Sequence, residues 1–144
     1  MAIGKIRNIG GGNVSKKFYL IKDGKALVSF SGSYTDGGNG TPFQFTRYKD
    51  WKDTCTSEFV DVGKYTKIWV EGYSNSYPGD SKAGIHLWAK FEDATEIYDS
   101  TSAGTWGTDY GMFSLSLGTH KYVAAFFCMS GGPSIGYVLN LWLE

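Results

Sequence analysis

Two histidines, His86 and His120, and the carboxylates Asp93, Glu96, Asp99 and Asp109 are the side chains that acid–base or metal chemistry would use first. A zinc site needs further ligands at coordinated spacing, and neither histidine has them, so structural or solvated roles are expected. Asp93, Glu96 and Asp99 follow a strand-like run that ends at Phe91. Paired carboxylates serve glycoside hydrolysis when held at a fixed separation across a cleft. Together with Asp109 they offer the oxygen ligands that calcium takes. On a loop, however, such residues are ordinarily solvated. The loop Asp36-Gly37-Gly38-Asn39-Gly40 lacks the alternating ligand order of a calcium-binding EF-hand. No nucleophile elbow, P-loop or dinucleotide fingerprint is present. The expectation is a protein that is not an enzyme and needs no cofactor, with calcium as an alternative and a glycan-processing role through Asp93, Glu96 or Asp99 as a third reading.

The aromatic residues carry a stronger pattern. Along a strand, side chains of one parity share one face. If Ile68 and Val70 point inward, Trp69 points outward with Lys67 and Glu71. If Ile85, Leu87 and Phe91 point inward, Trp88 points outward with His86 and Lys90. If Tyr137, Leu139, Leu141 and Leu143 point inward, Trp142 points outward with Asn140 and Glu144. Trp69, Trp88, Trp142, His86 and Lys90 therefore form the candidate binding face. Exposed large aromatics mark interfaces, because a contiguous apolar patch in water is a liability. Three uses stay open: cover by another layer of the same domain, packing on a subunit, or stacking on sugar rings.

These residues need strands to position them, and the chain supplies strand signals throughout. Phe18–Lys22 and Lys25–Phe30 flank Asp23-Gly24, the strongest short hairpin signal. Segments 42–46, 57–62, 67–71, 85–91, 113–117, 122–129 and 135–143 also read as strands. The run 92–98 has weak helical character. Residues 122–129 are continuously apolar, as in a central strand covered on both faces. An all-β, antiparallel two-sheet sandwich of jelly-roll-like form is expected over residues 14–144. Residues 1–13, which end in Gly10-Gly11-Gly12-Asn13, read as an N-terminal arm with a glycine hinge.

Composition agrees. Aromatic residues make up 17% of the 144 residues and there are 20 glycines, which suits pleated sheets and tight turns. Acidic and basic residues number 14 each, whereas a nucleic-acid binder carries a clustered basic excess. No stretch approaches the length of a membrane span, and the first residues lack a secretory core, so synthesis and folding in a cytoplasm are expected. Cys55 and Cys128 form neither a disulfide framework nor a metal motif. In its apolar run, Cys128 is expected to be a buried free thiol, with a bridge to Cys55 left to geometry.

Gly136–Glu144 resembles the last strand of small β-sandwich domains in virion and tail proteins of bacteriophages of gut Firmicutes. Asp61–Gly72 is similar to a recurrent segment of those domains, and Phe113–Gly118 followed by Tyr122-Val123-Ala124 to the paired strands before their terminus. Ile3-Gly4-Lys5-Ile6 and the glycine triplet are similar to the start of short phage structural genes. The resemblance covers residues 58–144 and the first dozen, and it brings no catalytic residues. It implies a virion structural protein, made in the host cytoplasm, acting as a tail, fibre or capsid-surface module. The implied partners are other virion proteins and further copies, a trimer among the options. A lectin-like carbohydrate-binding module that takes host surface glycan is the alternative. Domains of this family often end a longer protein, whereas this chain, starting at Met1, is expected to stand alone.

Overall fold

The computed structural model describes residues 16–45, 54–74, 85–92, 96–103, 110–118, 124–130 and 135–144; for 96–103 and 124–130 it describes the backbone path. The N-terminal arm, His120, Asp93 and Asp109 lie outside the described residues. All regular structure among the described residues is strand. In chain order the strands are β1 Phe18–Lys22, β2 Lys25–Ala26, β3 Phe30–Gly32, β4 Tyr34–Thr35, β5 Phe43–Phe45, β6 Thr54–Thr56, β7 Val60–Asp61, β8 Lys67–Ser74, β9 Ile85–Phe91, β10 Glu96–Ala103, β11 Gly111–Ser116, β12 Ala124–Ser130 and β13 Gly136–Leu143.

They form two antiparallel sheets. The larger runs β11-β8-β13-β1-β2, with β5 also on β13 and β4 on β5; the smaller runs β10-β9-β12-β6-β3, with β7 also on β12. Taken in chain order, β1, β6, β8, β9, β10, β11, β12 and β13 pair first with last, second with seventh, third with sixth and fourth with fifth. That nesting, divided between two sheets, is jelly-roll connectivity. One apolar core joins the sheets: Leu20, Ile21, Ile68, Val70, Val138, Leu141 and Leu143 come from the larger, and Ile85, Leu87, Ala89 and Phe91 from the smaller.

The Asp23-Gly24 hairpin forms as its sequence requires. Asp23 and Gly24 both take positive φ, 51° and 85°, as a type I′ turn demands. The second arm of the hairpin is shorter than expected. After Ala26 the chain leaves the larger sheet, exposes Leu27, and enters the smaller sheet as β3. The glycine-rich loop that follows wraps the turn: Gly37 N–H donates to the Gly24 carbonyl at 3.0 Å and Gly40 N–H to the Asp23 carbonyl at 3.1 Å. A Cβ at Gly24 would stand 1.6 Å from the Thr41 carbonyl oxygen, so only glycine fits.

Three expectations are corrected here. The run with weak helical character ends in strand, since β10 begins at Glu96; pairing with β9 overrides local propensity, and it places Glu96 and Asp99 on a strand. Cys55 is disulfide-bonded. The other cysteine of the chain, Cys128, stands directly opposite it in the β6–β12 register, so tertiary pairing overturns the free-thiol reading. Finally, Leu139 is an extra residue in β13, because Val138 pairs with Gly72 and Asn140 with Glu71. This bulge reverses the parity of the strand before it. Val138 points into the core and Tyr137, expected inward, joins the outer face.

Candidate functional site

β8 sets the geometry of the outer face of the larger sheet. Its burial alternates, with Ile68, Val70, Gly72 and Ser74 covered and Lys67, Trp69, Glu71 and Tyr73 turned outward. Cross-strand register then builds rows of side chains over the sheet. In the first row Ser114, Trp69, Trp142 and Tyr19 stand side by side on β11, β8, β13 and β1. The Trp69 and Trp142 rings stack with centroids 5.9 Å apart and planes within 8°. Tyr19 adds a tilted ring 5.9 Å from Trp142. Three exposed lysines cap the row. The Lys17 ammonium lies 4.8 Å from the Trp142 ring centroid, Lys22 5.1 Å from Tyr19 and Lys67 5.7 Å from Trp69. Trp142 Nε1–H donates to Glu144 Oε1 at 3.1 Å, which satisfies the indole of a residue only 6% exposed.

The second row is polar. Asn140 Nδ2 donates to Glu71 Oε1 at 2.8 Å, and Asn140 Oδ1 accepts the Asp23 N–H at 2.9 Å, which ties the hairpin turn to the face. Met112, 58% exposed, stands opposite Glu71 on β11. The third row is tyrosine. Tyr73 stacks on Tyr137 at 4.6 Å and meets Tyr110 edge-on at 5.1 Å. Burial, and then the neighbouring phenols of Tyr110 and Tyr137, push the Tyr73 hydroxyl above its ordinary range. Burial and the Glu71 carboxylate do the same for Tyr110.

The structure divides the expected binding face. Trp69 and Trp142 share the larger sheet and touch. Trp88 lies in the smaller sheet and is buried, as is His86; of that trio only Lys90 is exposed. The expectation that Trp88, His86 and Trp142 are exposed is thus corrected; Trp142, on the outer face of the larger sheet, is covered as fully as Trp88. Alternation tells which face a side chain takes, not whether that face is wet, and β9 is a central strand covered on both sides. Register places Trp88 between Tyr98 and Cys128, in the row that continues to Cys55.

Tyr19, Tyr73, Tyr110 and Tyr137 were not singled out by sequence. Tyr73 was within reach, because extending the alternation of 67–71 by one step puts it on the face of Trp69. Tyr137 was hidden by the bulge.

The chain matches no family model and no curated protein. No group of three His, Cys, Asp or Glu side chains gathers among the described residues. Asp36, in the glycine-rich loop, is engaged internally, by Lys25 at 3.0 Å and by the Ala26 and Gly37 N–H groups at 2.8 and 3.0 Å. Burial pushes its carboxyl up, but those N–H donors and the lysine outweigh it and hold it below the ordinary range. Its oxygens brace the turn.

Proposed function

We propose that this chain is a non-enzymatic assembly module, a bacteriophage virion structural protein that packs on neighbouring subunits through the outer face of its larger sheet. The observation that carries the packing reading is the pair of aromatic rows, Tyr19–Trp142–Trp69 and Tyr137–Tyr73–Tyr110, on either side of the Glu71–Asn140 bond. Aromatic residues with a few fixed polar groups are the composition of protein interfaces. The virion assignment rests on the resemblance of residues 58–144 and is in keeping with jelly-roll connectivity, which capsid and lectin domains share.

Size exclusion with light scattering on the full chain is the test. A stable trimer or larger ring is expected, and Trp69→Ala should shift it toward monomer with the circular dichroism unchanged. A monomer at every concentration, together with quenching of tryptophan fluorescence by glycans, would replace this reading with the lectin-like one. The stacking of Trp69 on Trp142 favours packing, because those two rings turn faces to each other that a sugar would need open.

A further inference from the structure

We infer that the free edge of β11 pairs antiparallel with β11 of a second copy of this chain, continuing the larger sheet across a twofold axis. This contact lies at the rim of the sheet and goes beyond the packing reading, which concerns the outer face. β11 is a terminal strand that pairs with β8 alone. Leu117 N–H donates to the Thr66 carbonyl at 2.8 Å, one step beyond the Ser116–Lys67 pair. Bonding alternates along an antiparallel ladder, so Phe113 and Leu115 also turn their backbone groups to β8. Those of Met112, Ser114 and Ser116 then point away from it. Among the described residues no other strand takes them. Such a row is a template for another extended backbone.

The other strands with a single neighbour are blunted. β2, β4 and β7 have two residues each and β3 has three. The Ala26 N–H of β2 is taken by Asp36 Oδ1 at 2.8 Å. β10 carries Glu96 and Asp99, and its register with β9 shifts. β11 has none of these devices: it runs six residues, Gly111–Ser116, without charge or proline, and its register with β8 is unbroken. An edge left in that state pairs with other chains.

The sequence of the edge selects its own copy. With Ser114 opposite Ser114 of the second copy, Met112 meets Ser116 and Phe113 meets Leu115. All three edge-facing residues then exchange backbone bonds at once. Phe113 and Leu115, which pack on the core, meet on the inner side, and only uncharged side chains meet on the outer side. The contact is isologous. Where the outer face builds a ring, it therefore joins two rings, and the particle holds an even number of chains.

Single cysteines in the full chain test this. Residues of a hydrogen-bonded antiparallel pair stand about 5.5 Å apart at Cα, inside disulfide range. Ser114→Cys, treated with oxidised glutathione under native conditions, should therefore run as a covalent dimer on a non-reducing gel. Ser116→Cys is offset from its own copy by four residues, about 14 Å along the strand, and should stay uncross-linked. In the unmodified chain, the Met112, Ser114 and Ser116 amides should exchange at least tenfold more slowly at high protein concentration than at low. Ser114→Pro removes an N–H that β8 does not use, and should halve the mass in light scattering with the circular dichroism unchanged. Cross-linking of both cysteine variants alike, or of neither, overturns the inference. So does amide exchange that ignores concentration. The two contacts fail separately. If Ser114→Cys cross-links while Trp69→Ala leaves the mass unchanged, the edge stands and the outer-face reading falls. If Trp69→Ala disperses the oligomer and Ser114→Cys does not cross-link, only the outer face remains.

Discussion

Trp69 and Trp88 have the same sequence signature, a tryptophan alternating with aliphatic residues beside a lysine two positions away, yet they meet different surroundings. Trp69 is half-buried in a stacked row, whereas Trp88 is buried within the smaller sheet. Trp88→Ala should therefore cost about 3 kcal/mol or more in urea unfolding, and Trp69→Ala about 1 kcal/mol or less. Equal losses would return Trp69 to the core. Tyr73 and Tyr110 make a second prediction. Their hydroxyls titrate higher in the folded protein than in the unfolded chain, so the folded state holds its protons longer. The associated stability is present below about pH 10 and is lost as pH rises through the folded values. Tyr73→Phe should flatten that alkaline decline and remove one late step from the phenolate absorbance titration. Gly136 adds a third. A Cβ there would stand 2.3 Å from the ring of fully buried Phe45, so Gly136→Ala should cost roughly 1–3 kcal/mol, read by thermal or urea unfolding.

At the scale of elements, what the sequence announced best was local. The Asp23-Gly24 turn, the alternation of β8 and the run of β13 were legible because turn chemistry and periodicity act over a few residues. What it hid was non-local. The Leu139 bulge is decided by how β13 pairs with β8, and it alone moves Tyr137 to the outer face. Strand β10 exists because β9 offers it a ladder. The disulfide follows from β6 lying beside β12, where register sets Cys55 opposite Cys128. A bridge closing so long a loop contributes about 4 kcal/mol by restricting the unfolded chain. Reduction should accordingly lower Tm by roughly 10 °C, checked by melting with and without a thiol reductant. A Tm insensitive to reductant would remove the bridge from the stability argument. Asp36 belongs to this scale too, since it fastens the glycine-rich loop to β2. With its carboxyl held below the ordinary range, its contribution is present above about pH 4 and is lost as pH falls through the folded value, so Asp36→Asn should flatten the acid limb of the stability curve.

For the whole molecule, the amino-acid sequence by itself determined the fold class. High aromatic content, many glycines and repeated two-residue alternation favour sheet as the structure that buries the apolar side chains. It also set Lys67 two residues from Trp69 and Lys90 two residues from Trp88 along their strands, whereas the lysine over Trp142, Lys17, is brought there by tertiary structure. Which tryptophans share a surface was likewise decided by tertiary structure. Jelly-roll nesting brings β8, β13 and β1 together in one sheet and sends β9 to the other, so Trp69, Trp142 and Tyr19 become a row and Trp88 is buried apart from them. The physical reason is that periodicity fixes the side of a strand a residue takes, while the neighbours of that strand, and whatever covers the sheet, come from pairings between segments tens of residues apart that no local pattern encodes.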